Sequence, residues 1–132
     1  MTGKQIVIGK AESDHVSIEV ASHSPDGWTG TKVRVVCGTW KGSFDWDFQT
    51  GELGRFGEEV QQLYETLSGS ASLDPLEPNL KLRMTGDGKG HTKVEGHAEA
   101  EFYTRTHLVF TLSLDQTELP AIVRSLMAAD PT

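Results

Sequence analysis

Cysteine is nearly absent from this 132-residue sequence, and the one thiol, Cys37, excludes an internal disulfide framework. Basic residues are outnumbered, 12 Lys+Arg against 19 Asp+Glu, for a formal charge of −7 and a pI near 5.1. A polyanion such as nucleic acid is disfavoured by that balance, and no Lys/Arg stripe offsets it. Long apolar runs are missing too. Nothing approaches a membrane span, and the opening MTGKQIVIGK has no apolar leader core. Together these absences point to a cytoplasmic protein with neither nucleic acid nor membrane as partner.

Catalytic signatures are equally scarce. Gly86-Asp87-Gly88-Lys89-Gly90 is glycine-rich, but an alternating segment follows it where a phosphate loop needs a helix. It reads as a hairpin turn. Cys37 follows Val35 in an apolar strand and reads as an inert buried thiol. No serine occupies a nucleophile elbow. His91, Glu95, His97, Glu99 and Glu101 share one strand face, yet i and i+2 roots stand roughly 6.5–7 Å apart, so a compact metal site needs ligands from a neighbouring strand such as His107. Neither a metal nor an organic cofactor is therefore expected, and no residue is assigned a catalytic role.

What is present is periodicity. Leu53, Phe56, Val60, Leu63, Tyr64 and Leu67 form one helical stripe, with Thr50 as the expected N-cap and Ser68-Gly69 as the stop. Leu119, Ile122, Val123, Leu126 and Met127 form a second, with Thr117 as the expected N-cap and Pro120 in the first turn. Elsewhere apolar and polar residues alternate: Ile6 and Ile8; Val16 to Val20; Val33 to Cys37; Phe44, Trp46 and Phe48; Leu80 to Met84; Val94 to Phe102; Leu108 to Leu114. Short turns between half-polar strands imply antiparallel sheet. The expected fold is α+β, about eight antiparallel strands and two amphipathic helices in one domain, residues 1–132.

The order reads as four strands and a helix, twice. A shift of 66 residues places Phe44 on Phe110, Trp46 on Leu112, Phe48 on Leu114, Glu52-Leu53 on Glu118-Leu119, Phe56 on Ile122 and Val60 on Leu126. An internal β4α–β4α duplication accounts for this, with halves Met1 to Ser68 and Gly69 to Thr132.

Several stretches resemble the WapI-type immunity proteins and related small bacterial families of unknown function. They are Asp26-Gly27-Trp28 before Val33–Val36, Leu63 to Ala71 with its Leu-Ser-Gly-Ser-Ala ending, Gly90-His91, and Leu112-Ser113-Leu114-Asp115-Gln116-Thr117-Glu118-Leu119. The resemblance runs from about Ile6 to Leu126. It implies a protein that binds and neutralises the toxic C-terminal domain of a contact-dependent toxin, without naming a site.

Two functions follow. The first is a non-enzymatic protein-binding module, an immunity protein that occludes a basic toxin or other basic domain. Its expected contacts are the outward carboxylates Asp45, Asp47, Glu95, Glu99 and Glu101, with Trp28 and Trp40 as anchors beside turns; Trp46 and Tyr103 are further aromatics, and the alternation of Trp46 with Phe44 and Phe48 assigns it to the core. The alternative is a small-molecule binder or weakly metal-dependent enzyme using the His91/Glu95/His97/Glu99 face.

Overall fold

Alternation becomes strand pairing almost everywhere. The structure, a computed structural model, describes residues 4–75, 79–101 and 106–130, and the backbone alone of Ala100 and Glu101. Strands β1 (Gln5–Gly9), β2 (His15–His23), β3 (Trp28–Cys37) and β4 (Trp40–Gln49) form one antiparallel sheet in chain order. Helix α1 (Glu52–Thr66) follows. Strands β5 (Ser68–Leu73), β6 (Leu80–Asp87), β7 (His91–Glu101) and β8 (Thr106–Asp115) form the second antiparallel sheet. A 3₁₀ turn, Gln116–Glu118, leads into α2 (Leu119–Ala129). Among the described residues no helix is long and apolar enough to cross a membrane.

The same order of elements therefore occurs twice. The 66-residue shift maps β4 onto β8 end to end, Trp40 on Thr106 and Gln49 on Asp115. It also pairs buried residues: Phe48 with Leu114, Leu53 with Leu119, Phe56 with Ile122, Val60 with Leu126. Each helix presents its stripe to a shared core built from the inner faces of both sheets. The stripes end earlier than their periodicity suggests. Tyr64 and Met127 are exposed, and Leu67 leaves the helix with φ 61° to close it, its N–H donating to the Leu63 carbonyl at 2.7 Å.

Both expected N-caps are corrected. Residue Gly51, not Thr50, precedes α1, at φ 100° and with no side chain to cap. The cap arrives from the other end of the chain, where the Asp130 carboxylate accepts from Gly51 N–H at 3.1 Å and Gly54 N–H at 2.9 Å. Gly54 is open enough for this, because a Cβ there would meet Asp130 Oδ2 at 2.5 Å. Before α2 the residue at the cap position is Glu118 rather than Thr117, with no side-chain cap bond, and the capping box lies one turn earlier on the 3₁₀ turn: the Asp115 carboxylate accepts from Thr117 N–H at 3.0 Å, while Glu118 accepts from Asp115 N–H at 2.8 Å. A capping box is local chemistry, whereas the Asp130 cap exists only once the helices have packed. Asp130→Ala is expected to cost about 0.5–2 kcal/mol, as loss of a cap does, measured by urea unfolding.

The glycine-rich turn after β6 is the hairpin its sequence implied. Gly88 and Gly90 take φ 80° and 100°, and Asp87 accepts from Lys89 N–H at 2.7 Å and His91 N–H at 3.1 Å. The bond from Lys89, then that from His91, holds the Asp87 carboxyl below its ordinary 3.8. Thr117, through its hydroxyl and then its amide, lowers Asp115 in the same sense. Lowered carboxyls stabilise the fold above their unfolded value, and that contribution is lost as pH falls through the folded value. The urea midpoint is therefore expected to drop as pH falls below about 4, with a shallower drop in Asp87→Asn/Asp115→Asn.

Candidate functional site

Strand β4 is the outer strand of its sheet, hydrogen-bonded to β3 on one side only. Its odd residues face outward, its even ones toward the core. Register with β3 sets Asp45 opposite Lys32, Asp47 opposite Gly30 and Gln49 opposite Trp28. The pairing thus brings Trp28, 40% exposed, to the same end as Asp47. Here a cleft of about 460 Å³ is lined by Trp28, Asp45, Trp46, Asp47, Gln49, Glu52 and Pro75. Three of the expected contact residues, Trp28, Asp45 and Asp47, are gathered in it. The lining has three carboxylates and no basic side chain. Asp45 has Lys32 at 3.6 Å, an exposed pair of little energetic weight. Asp47 has no ion pair among the described residues.

Trp46, expected in the core, packs against it but is only half-buried and also lines the cleft. Its indole Nε1 is shielded from solvent and has no hydrogen-bond partner among the described residues. A buried indole N–H ordinarily finds an acceptor, and this one stands out for having none there. The 66-residue shift sharpens this. Phe44 and Trp46 are half-buried, whereas their counterparts Phe110 and Leu112 are buried. The two halves differ in cover along β4.

The remaining expected residues lie elsewhere. Trp40, 68% exposed, stands at the other end of the β3–β4 hairpin, opposite Cys37. Nine residue steps along the strand separate it from Gln49, about 30 Å at the usual rise. It borders a second cleft, about 480 Å³, with Phe44, Ala98, His107 and Leu108. Glu95 lies opposite Arg83 and 4.0 Å from Lys93, so its strand face alternates in charge and is not an acidic patch. Glu99 is half-buried, with its backbone held by Asn79: Asn79 Nδ2 donates to the Glu99 carbonyl at 2.7 Å. The side chain of Glu101, with Phe102 and Tyr103, lies outside the described residues.

The histidine face also disperses. His91 Nδ1 lies 3.3 Å from Asp87, across the turn. His97 packs edge-on against His107, ring centroids 4.9 Å apart. Among the described residues no three His, Cys, Asp or Glu side chains are grouped to hold a metal ion. Cys37 is half-buried, its thiol 3.9 Å from the Thr111 carbonyl.

Sequence reasoning missed Trp46, Gln49, Glu52 and Pro75 as cleft residues. Glu52 entered only through its match to Glu118 in the 66-residue shift; its carboxylate accepts from Gln49 N–H at 2.5 Å and lines the cleft. The available signal was the run Phe44-Asp45-Trp46-Asp47-Phe48, in which carboxylates and aromatics interleave on one strand.

No protein of curated function matches this chain. Among solved structures, the one titled "Crystal structures of trypanosoma bruciei MRP1/MRP2" is similar with a TM-score of 0.52. The alignment covers 98% of this chain and 84% of that one at 12% identity, a likeness of fold alone. A family model matches residues 7–129, from the first strand through the last residue of α2. Nearly the whole fold just described thus falls within that match, and the chain belongs to the Immunity protein WapI-like family.

Proposed function

We propose that this protein neutralises a toxic protein domain by occlusion, binding a basic surface of it at the β4 side of the first sheet and performing no chemistry itself. One observation carries the reading: Trp28, Trp46, Asp45, Asp47 and Glu52 converge on one concave site with no basic side chain in its lining. Carboxylates that repel one another in the free protein are relieved by a cationic partner, which raises association rates by about 10–10³ and fades with salt. Affinity rests on the aromatic surfaces, whose faces take Arg or Lys by cation–π contact. Membership of an immunity family supports a toxin as that partner. Of the expected contacts, Trp28, Asp45 and Asp47 remain the central set; Trp40, Glu95 and Glu99 become peripheral.

The test pairs the full chain with the toxic domain encoded beside its gene. Wild type is expected to bind that domain and protect cells producing it. Asp45→Asn/Asp47→Asn is expected to associate about tenfold more slowly at low salt, with a flatter salt dependence. The absence of such a gene, or a wild type that neither binds nor protects, would remove the toxin reading. An unchanged rate in the double variant would clear this face.

A further inference from the structure

Resting on that acidic-face reading, a closer account of how the partner is held comes from the backbone of β4. In an antiparallel ladder, alternate residues of an outer strand turn both backbone groups toward the neighbour, and the others turn them outward. Three contacts fix the phase here. Thr31 Oγ1 on β3 donates to the Trp46 carbonyl at 2.7 Å, so even residues of β4 face β3. Thr50 N–H, of the same parity, donates to the Gly27 carbonyl at 2.8 Å. Gln49 N–H, of the other parity, turns to the Glu52 carboxylate. The N–H and C=O groups of Lys41, Ser43, Asp45 and Asp47 therefore point to the open edge, and none has a partner among the described residues.

Open edges invite pairing, and the other outer strands are met by neighbours. Against β1 lies α2, with Lys4 Nζ donating to the Ala128 carbonyl at 2.5 Å. Along β5 runs α1, with Ser72 N–H donating to Glu59 at 3.0 Å. On β8, the Thr111 carbonyl faces the Cys37 thiol. Strand β4 also approaches α1 and β7, but two clefts flank it along its length, one at Trp40 to Phe44 and one at Asp45 to Gln49. Their half-buried Phe44 and Trp46 offer apolar surface on the inner side, where the equivalent Phe110 and Leu112 are covered.

We propose that β4 receives an extended basic segment of the toxic domain as a fifth strand. Its main chain pairs with Lys41, Ser43, Asp45 and Asp47. Alternate side chains divide between the two faces: Lys or Arg reach Asp45 and Asp47 outside, and apolar residues cover Phe44 and Trp46 inside. Charge chooses the partner, and the ladder fixes its register.

The experiment uses the full chain and an eight-residue peptide alternating lysine with valine, followed by tryptophan fluorescence. Two further peptides carry backbone N-methyl groups, one on every lysine and the other on every valine. Only one parity turns its N–H toward β4, so one methylated peptide is expected to lose binding by at least about tenfold while the other keeps it. Equal binding of the two methylated peptides, or no binding of the parent at millimolar concentration, overturns strand addition. In the protein, Ser43→Pro removes an edge-facing N–H and puts a ring there without touching charge or the β3 ladder. With its urea midpoint retained, it is expected to weaken the parent peptide about tenfold; wild-type affinity in this variant overturns the proposal. Should Ser43→Pro not fold, the methylated pair decides alone. Loss in Asp45→Asn/Asp47→Asn with both methylated peptides equal would leave the acidic-face reading standing without the strand.

Discussion

Phe56→Ala is expected to lower the stability of this protein by about 3–5 kcal/mol, the cost of deleting a buried phenylalanine. Phe56 has no exposed surface and lies on α1 among Leu53, Gly57, Val60 and Leu63, all buried. The helix cannot sink to fill the void, because it already meets α2 closely: a Cβ on Gly57 would stand 3.0 Å from Leu126 Cβ and 3.1 Å from Met127 Sδ. Ile122→Ala, at the corresponding place on α2, is expected to cost about 2–5 kcal/mol. Urea unfolding measures both, and one transition is expected in each, since the helices that end the two halves are packed on one another. A loss under about 1 kcal/mol for Phe56→Ala would place that side chain outside the core.

Gly96→Ala is expected to destabilise, against the direction that strand propensity alone gives. A glycine within a strand ordinarily costs about 0.5–1 kcal/mol relative to alanine, so its replacement should help. Gly96 is buried opposite Phe110, and a methyl built there would fall within the Phe110 ring. Overpacking of this kind costs about 1–3 kcal/mol, which exceeds the backbone gain. The same change in a Phe110→Ala background is expected to cost less or to stabilise, because the obstruction is gone. A double-mutant cycle measures the coupling. Additive losses would show that Phe110 is not what keeps the position a glycine.

Legibility followed the strength of the local pattern. Strands with an apolar residue at every second place were found, because one buried face is enough to specify them. Strand β5 was not placed. Its sequence, Ser-Gly-Ser-Ala-Ser-Leu, has only Ala71 and Leu73 to bury, and it is held by pairing with β6 and by lying against α1. Asp45 and Asp47 were named as contacts for their outward parity and Trp28 for its place beside a turn, and the register of β3 on β4 is what joins them. Glu95 was named on the same ground, but Arg83, twelve residues away in sequence, lies opposite it. Parity assigns a face; it does not assign the neighbours on that face.

By itself the sequence determined the periods, and with them the two helices, most strands, the antiparallel class and the doubled order of elements. These depend on side chains within a few residues of each other, so composition along the chain is sufficient. Only the tertiary structure decided where Asp130 goes, why Gly54, Gly57 and Gly96 are glycines, and which strand keeps an open edge. Each of those rests on groups distant in sequence that meet after collapse: Asp130 is 79 residues from the Gly51 amide it accepts from. The cleft at β4 belongs to this second kind. Its carboxylates are local, but the absence of a neighbouring strand, which exposes them together with Trp28 and Trp46, is a property of the assembled sheets.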